Sequence, residues 1–359
     1  MSKVVQLNTR MPRQSPQQKQ AALMRCFAQH RRFGDDVFWL KENAELLNIL
    51  EVTGAKPGQE ALAAQGGFYR NVEKRLGFFP QYYRFLLSIC LDLEDLGIGG
   101  TKGEALVNWV ADQGLAESEL SDLQRGEARR LMLRRGRDPL PNDTGLEDRL
   151  RGFSERSVAF AMPNKKAAYE LVHTVFYLSE YGRKDPQLGQ ATLLSLQNAG
   201  TLAYLDQNVD LLAEVCVALR YGGFEPVPMW ESWLLRATQG FAVEKGEAAP
   251  AQDDYHEYLV SNWLLAVAGH EAFAQHYEAG RMGFVRATGR IGPLREMSEN
   301  MFRLDEQRSD DWGKMRGLVS DGMGDEALAI LAEAEQAVDG FDRFFAGFAR
   351  VGLQQPVSA

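Results

Sequence analysis

The stretch KKAAYELVHTVFYLSEYG, residues 165–182, decides the fold class of this 359-residue chain. Its apolar residues return every three or four positions, as they do on one face of a helix: they are Leu171, Val172, Val175 and Leu178. Asn164 precedes the stretch and Gly182 ends it. These residue types commonly begin and terminate helices. The stretch therefore predicts an amphipathic helix.

The same helical pattern of apolar residues extends along the chain in both directions. Toward the C-terminus, similar helical runs cover residues 187–200, 208–221, 228–240 and 253–268. Toward the N-terminus, runs of this kind end at or near glycines. β-Branched residues are scarce, and no run alternates as a half-buried strand does. We therefore predict an all-α fold of helical hairpins stacked as an α/α array or toroid, with no sheet beyond isolated bridges.

Prolines, glycines and asparagines interrupt this helical pattern between residues 136 and 164, which indicates a long connection between two helical regions. We predict a connection at 137–164, with an N-terminal helical region at 35–136 before it. An α/α helical domain at 165–359 follows. Residues 1–34 are predicted to be a flexible basic arm that ends in a docking helix, with residues 1–17 as a removable tail.

Charge and composition exclude several classes of protein. The net charge of -9 argues against a general nucleic-acid binder, although the arm at 1–34 is basic. Three scattered cysteines without a CxxC pair argue against a zinc ribbon or a disulfide scaffold. No apolar run approaches the ~18 residues of a membrane span, and no secretory signal begins the chain. We expect a cytoplasmic protein.

The histidines give the strongest indication of chemistry, because four of the five lie after residue 170. Acid-x-x-His spacing places a carboxylate and an imidazole one helical turn apart, as in metal-binding bundles, and it occurs twice here. We predict a polar cavity that binds a small molecule or a divalent metal. Its candidate lining residues are Glu170, His173, Tyr177, Asp210, Glu214 and His256, and the candidate metal ligands are Glu170, His173, Asp253 and His256.

The alternative for these residues is that the acids face water and His173 is a satisfied, partly buried histidine. A metalloprotease is excluded, because the second histidine of GHEAFAQHY lies six residues after the first rather than four. The stretch DDYHE, residues 253–257, has the DDxxE outline with which terpene cyclases hold magnesium diphosphate. It stands late in the chain without a second metal-binding helix, so that class is a distant alternative.

A dense arginine cluster supports a different class of function. The stretch RGEARRLMLRRGRD contains six arginines, and four of them could form a patch for an anion or an acidic partner: Arg129, Arg130, Arg134 and Arg135. The competing interpretation is a solvated helix face whose charges are paired. If the patch is free, the protein is a helical interaction scaffold with structural histidines.

Three pieces of sequence resemble an uncharacterised bacterial all-helical family. They are ELVHTVFY at 170–177, DLLAE at 210–214 and YHEYLV at 255–260, and together they cover about residues 165–265. The resemblance implies an α/α helical array and nominates His173, Asp210, Glu214 and His256. It implies no activity. The piece YHEY departs from the family pattern, in which small hydroxyl residues follow the histidine.

The sequence thus favours a helical-array protein with a polar cavity, and it leaves open whether the protein is an enzyme. The partner is expected to be a small molecule or a protein, and the cofactor to be a divalent metal if there is one. We expect His173 and His256 to approach each other across neighbouring helices, because polar groups on inward faces must be satisfied together.

Overall fold

The computed structural model describes residues 14–32, 36–246, 252–287 and 289–351. The chain is 65% helical, with seventeen α-helices and one two-stranded sheet in the described part. The all-α prediction is therefore confirmed. The closed toroid and the domain boundaries stay predictions, and the buried apolar side chains of the described residues form one continuous core cluster.

Seven helices precede the predicted connection at 137–164, and an eighth lies within it. They are α1 (Pro16–Gln29), α2 (Val37–Val52), α3 (Gln59–Ala63), α4 (Gly66–Phe78), α5 (Tyr83–Asp95), α6 (Lys102–Asp112), α7 (Asp122–Leu133) and α8 (Leu146–Ser154). Short 3₁₀ turns follow at Pro80–Tyr82 and Ser157–Ala161.

The second half contains the longest series of mutually packed helices. Its elements are α9 (Lys165–Leu178), α10 (Gln190–Leu205), α11 (Val209–Tyr221), α12 (Pro228–Gln239), β1 (Phe241–Lys245), α13 (Tyr255–Val267), β2 (Met282–Arg286), α14 (Leu294–Leu304), α15 (Trp312–Val319), α16 (Asp325–Ala337) and α17 (Phe341–Ala349). A 3₁₀ turn at Asp305–Gln307 follows α14. Helix α11 packs against α9, α10, α12 and α13, and α13 also packs against α2. No described helix combines the length and the apolar character needed to cross a membrane.

Polar side chains fix the starts of the central helices. Asp36 accepts a hydrogen bond from the backbone of Trp39 at the start of α2. Asn164 and Asn208 cap α9 and α11 in the same way. Such a cap satisfies an N–H group that has no partner inside the helix. The starts of α9 and α11 therefore agree with the sequence interpretation.

The prediction of no sheet beyond isolated bridges is wrong, because the structure contains a small two-stranded sheet. Strands β1 and β2 run antiparallel, with Phe241 opposite Arg286 and Lys245 opposite Met282. The strand β2 is held partly by side chains, since the backbone of Phe284 donates to Asp253 and that of Arg286 to Asp254. These partners are distant in sequence, and five-residue strands are too short to show a clear alternating pattern.

Residues 14–17, the last part of the predicted N-terminal tail, make specific contacts. Residues 1–13 lie outside the described residues, but Gln14 exchanges two hydrogen bonds with the backbone of Tyr277. Ser15 and Gln18 form a reciprocal capping box that starts α1 at Pro16. Residues 14–17 are therefore part of the folded protein.

A buried arginine fixes α2 relative to the start of α13. The guanidinium of Arg31 donates to Glu42 at 2.8 Å and to both oxygens of Asp253 at 2.8 and 2.9 Å. All three side chains are almost fully buried, so their charges must be paired. Glu42 lies three residues before Glu45, and Asp253 lies three residues before His256. Glu45 and His256 belong to the site described next. Arg31 thus sets the spacing of that site.

Candidate metal centre

Three helices meet at a cluster of ionisable side chains. Helix α2 supplies Glu45, α11 supplies Asp210 and Glu214, and the first turn of α13 supplies His256. Asp210 and Glu214 are one turn apart on the same face of α11. His256 and Glu45 keep 29% and 23% of their side-chain surface exposed, so a small solute can reach the cluster.

The imidazole of His256 is held from one side. Its Nδ1 lies 2.7 Å from Oδ1 of Asp210, and the other oxygen of Asp210 accepts the hydroxyl of Tyr169 at 2.6 Å. Both carboxylate oxygens are therefore engaged. The opposite ring nitrogen, Nε2, lies 3.5 Å from Oε1 of Glu45 and 4.0 Å from Oε1 of Glu214. Asp210 orients the ring, and Nε2 faces two further carboxylates.

The electrostatics of the cluster follow from this crowding. Burial raises the pKa of Asp210, but the hydrogen bonds from His256 and Tyr169 outweigh it, so the net pKa lies below its usual value. Burial lowers the pKa of His256, but the surrounding carboxylates raise it to about 9. Without a bound cation, the imidazole is therefore protonated at neutral pH.

Two buried carboxylate oxygens in the cluster have no hydrogen-bond partner among the described residues. They are Oε2 of Glu45 and Oε2 of Glu214. Glu214 is only 3% exposed, and burial together with Asp210 and Glu45 raises its pKa to about 8. Burial also raises the pKa of Glu45. Glu45 also has Lys41 at 3.7 Å from its Oε1. A buried carboxylate oxygen without a partner is costly, and a cation beside Oε2 of Glu214 would remove that cost.

The spacing of these atoms suits a metal ion. One ligand-type atom from each of Asp210, Glu214 and His256 lies within 4.8 Å of the other two. Because metal–ligand bonds to zinc are about 2.1 Å, two ligand atoms of a tetrahedral ion lie about 3.4 Å apart. The 4.0 Å separation between Nε2 of His256 and Oε1 of Glu214 needs only a small movement to reach that value. Glu45 is not part of this group of three, although its Oε1 lies 3.5 Å from Nε2.

The structure brings His173 and Tyr177 beside this centre without making them ligands of it. Nδ1 of His173 bonds the backbone oxygen of Tyr169, whose hydroxyl reaches Asp210. Burial lowers the pKa of His173, and the charge of His256 lowers it further. The two histidines therefore lie within electrostatic reach of each other. The Tyr177 ring lies 5.9 Å from that of His173.

Two predicted metal ligands have other partners. Glu170 is 40% exposed, and its nearest cation is Lys166 at 3.9 Å. Asp253 is bound to Arg31 and to the backbone of Phe284. Of the four ligands predicted from the sequence, only His256 belongs to the cluster with Asp210 and Glu214. The sequence could not show that Asp253 meets an arginine 222 residues away.

The DDxxE outline is also accounted for by internal contacts. Its second acid, Asp254, accepts the backbone N–H of Arg286 at 2.8 Å. Its last acid, Glu257, pairs with the guanidinium of Arg286 at 2.9 Å. With Asp253 on Arg31, each acid of the motif holds part of this protein. The terpene-cyclase alternative therefore loses the free carboxylates on which it depended.

Most arginines of the predicted patch pair with carboxylates of the same chain. Arg129 pairs with Asp138 at 2.7 Å. Arg134 and Arg135 pair with acids on α5, namely Asp92, Glu94 and Asp95. These pairs attach α7 to α5 and neutralise most of the cluster. Arg130 differs from its neighbours, because it is buried and makes no such pair.

The sequence interpretation missed Glu45 altogether. It lies on α2, more than 160 residues before Asp210, in a segment predicted only to belong to the N-terminal helical region. One signal was available. In VFWLKENAELLNILEV, the polar residues Glu42, Asn43 and Asn48 are buried although the helix is apolar on most sides. Buried polar groups on one helix require partners, which indicates a polar cluster.

A cavity of about 1040 Å³ lies elsewhere, between α2, α4 and α5. Its walls are mainly apolar and include Leu40, Phe78, Phe79 and Tyr82. None of the clustered carboxylates and histidines lines it. Its size therefore gives no reason to move the candidate site away from His256.

Comparison with known proteins gives one match. The model of a family described as a domain of unknown function, DUF6902, matches residues 1–351. No curated protein and no solved structure matches the chain. The expectation of an uncharacterised family is thereby confirmed at the level of the family alone.

Proposed function

We propose that this chain, which belongs to the DUF6902 family, binds a divalent metal ion through Nε2 of His256 and the carboxylates of Glu45 and Glu214. Asp210 holds the imidazole from behind. The observation that carries the proposal is the buried, unpartnered Oε2 of Glu214, on a carboxylate 4.0 Å from Nε2. A carboxylate on the far nitrogen of a metal-binding histidine is a common arrangement, because it fixes both the ring and its tautomer.

The ligand set favours an ion of intermediate hardness. Two carboxylates suit Mn²⁺, whereas imidazole suits Zn²⁺ and Fe²⁺. No cysteine belongs to the group of close ligand atoms among the described residues, so the set does not favour copper or iron–sulfur clusters, which thiolates select. We therefore propose Zn²⁺ or Mn²⁺ as the ion.

Three protein ligands leave a coordination position open, which is typical of catalytic rather than structural metal sites. A metal in such a site lowers the pKa of a bound water and polarises a bound substrate oxygen. We propose that the site acts on a small molecule, because the exposed parts of His256 and Glu45 lead from the metal position to solvent. A cytoplasmic location belongs to the same proposal, since free cysteines suit a reducing compartment.

The interaction-scaffold alternative has less support. It depended on a free arginine surface, and Arg129, Arg134 and Arg135 are each paired with a carboxylate of the same chain. These pairs leave less positive charge for an acidic partner.

Isothermal titration calorimetry tests the metal proposal. Metal-free protein prepared without a histidine tag is titrated with Zn²⁺ and, separately, with Mn²⁺. The test variants are Glu214→Gln and His256→Gln. The matched controls are Glu170→Gln, an acid on α9 whose side chain is 40% exposed, and His270→Gln, an exposed histidine.

We expect one ion per chain for the unchanged protein and for both controls. Each test variant should bind at least ~100-fold more weakly, because a lost ligand leaves two protein donors for the ion. Equal binding by the test variants and the controls would refute the proposal. Circular dichroism of each variant separates a lost ligand from a lost fold.

A further inference from the structure

Arg130 on α7 is a buried cation without a counter-ion. It is 8% exposed, and neither a hydrogen bond nor an ion pair joins it to another described residue. An ionised group removed from water is costly unless it is paired. Its neighbours Arg129 and Arg134 on the same segment are each paired with a carboxylate, so Arg130 stands out from its own cluster.

Aromatic rings form the immediate surroundings of this guanidinium. Its central carbon lies 4.5 Å from the ring centroid of Tyr181 and 6.0 Å from that of Tyr177. Contacts of a guanidinium with ring faces are favourable, but they leave the N–H groups at its edge available. The edge of Arg130 is therefore free to donate.

The acids nearest to Arg130 already have their own cations. Asp92, which is fully buried, is bound by Arg134 at 2.7 Å. Glu127, one turn before Arg130 on α7, pairs with Arg84. Asp92 interacts with Arg130 only as a more distant charge, and no described carboxylate forms a hydrogen bond or a close ion pair with it, which leaves its N–H groups without an anionic partner.

The rings around Arg130 lead toward the metal centre. Tyr177 lies 5.9 Å from His173, which bonds the backbone of Tyr169, the hydroxyl partner of Asp210. Electrostatic coupling agrees with this path. Burial raises the pKa of Tyr181, the charge of Arg130 lowers it and the charge of Glu214 raises it. Tyr181 is therefore within electrostatic reach of both Arg130 and the metal centre.

We infer that Arg130 binds the carboxylate of the small molecule whose other end reaches the metal held by Glu45, Glu214 and His256. The half of this inference that concerns the metal rests on the proposed function. The Arg130 half stands on its burial and missing partner alone. Helices α7 and α9 pack against each other, as do α9 and α11, so the substrate would lie along α9.

A carboxylate fits this position better than a phosphate. The planar fork of a guanidinium matches two carboxylate oxygens, and one positive charge balances one negative charge. A phosphate dianion would bring a second negative charge close to Glu127 and Asp92. The substrate class is therefore a monocarboxylate that also carries a metal-binding oxygen or nitrogen.

Acetate serves as the probe in a nuclear magnetic resonance titration. In metal-free protein, the arginine Nε–Hε signals are followed as sodium acetate is added, and a parallel titration uses inorganic phosphate. In Mn²⁺-loaded protein, the relaxation of the acetate methyl protons reports whether the bound acetate lies near the ion. The test variant is Arg130→Gln and the matched control is Arg129→Gln, which removes the paired neighbour.

We expect one Nε–Hε signal to shift saturably with acetate in the unchanged protein and in Arg129→Gln. The same signal should be absent from Arg130→Gln, and the Mn²⁺-dependent relaxation of acetate should fall at least tenfold in that variant. Removing an unpaired buried charge should not unfold the protein. A melting curve verifies that Arg130→Gln remains folded.

The inference is overturned if no arginine signal saturates with acetate, or if Arg130→Gln relaxes acetate as the unchanged protein does. Tighter binding of phosphate than of acetate overturns the carboxylate assignment. Acetate that binds at Arg130 but is not relaxed by bound Mn²⁺ overturns the link to the metal. Failure of Mn²⁺ to bind is seen directly in the titration with metal and refutes the proposed function, while the metal-free titration still decides the role of Arg130.

Discussion

Replacement of Asp210 by asparagine tests the role assigned to this residue behind His256. The carboxylate lies 2.7 Å from Nδ1, and its second oxygen is held by Tyr169, so both of its oxygens are occupied. In Asp210→Asn the ring keeps a neighbour of the same shape but loses the negative charge. Nε2 then becomes a poorer electron donor to a metal.

The expected loss follows from similar arrangements. Removing a partner that orients a metal ligand costs about 10- to 100-fold in metal affinity, or about 1.4 to 2.8 kcal/mol. Competition with a zinc-binding dye at pH 7 measures the affinity. Asp206→Asn is the matched control, because Asp206 precedes the same helix but pairs with Lys165.

Two results would refute this assignment of roles. Unchanged affinity in Asp210→Asn would mean that His256 is not the metal ligand that Asp210 orients. A loss far beyond 100-fold in a folded variant would mean that Asp210 itself binds the ion. Circular dichroism and a melting curve establish that the variant is folded before either result is interpreted.

Three further predictions concern pH, charge burial and packing. Metal affinity should rise with pH up to about 9. The pKa values of His256 and Glu214 are raised to about 9 and 8, and both protons must leave before the ion binds. An affinity that does not change between pH 6 and 9 would contradict this. Arg31→Met should lower the free energy of unfolding by about 3–5 kcal/mol in a urea titration, because it leaves two buried carboxylates without their cation. The control Arg25→Met removes an exposed pair and should lower that free energy by at most about 1 kcal/mol. Gly200→Ala should cost about 1–3 kcal/mol in thermal unfolding, because its Cβ would lie 2.5 Å from a buried indole ring, and an unchanged melting temperature would show that the helices separate easily there.

Local rules predicted the helices because helices are made by local contacts. The caps at Asn164 and Asn208 could be read directly, since a cap needs only the three residues that follow it. The strand β2 could not be read in that way. Its backbone is held by Asp253 and Asp254, and its partner β1 begins at Phe241, about 40 residues earlier.

The site shows the same division. Helical spacing nominated Asp210 and Glu214 on one helix, and acid-x-x-His spacing nominated His256. Spacing along a helix does not show which of the acids that precede a histidine lacks another partner. Asp253 has the right spacing, yet Arg31 occupies both of its oxygens, while Glu45 arrives from a helix that carries no motif. Such choices are made by tertiary packing, which spacing along one helix does not encode.

Charge illustrates why a run of arginines is hard to interpret from sequence. Arg129 and Arg130 are adjacent and look equivalent in RGEARRLMLRR. In the structure, one of them meets Asp138 and the other is buried beneath two tyrosine rings. Adjacent residues on a helix point in directions about 100° apart, so their surroundings differ although their chemistry is the same.

Anomalous scattering at the zinc edge, measured on crystals of protein loaded with Zn²⁺, tests the central claim most directly. The account predicts a peak within about 2.0–2.2 Å of Nε2 of His256 and of one oxygen each from Glu45 and Glu214, with Asp210 still on Nδ1. That peak should be missing from crystals of His256→Gln. A fully occupied zinc ion bound elsewhere, or no peak between these three side chains, would contradict the account.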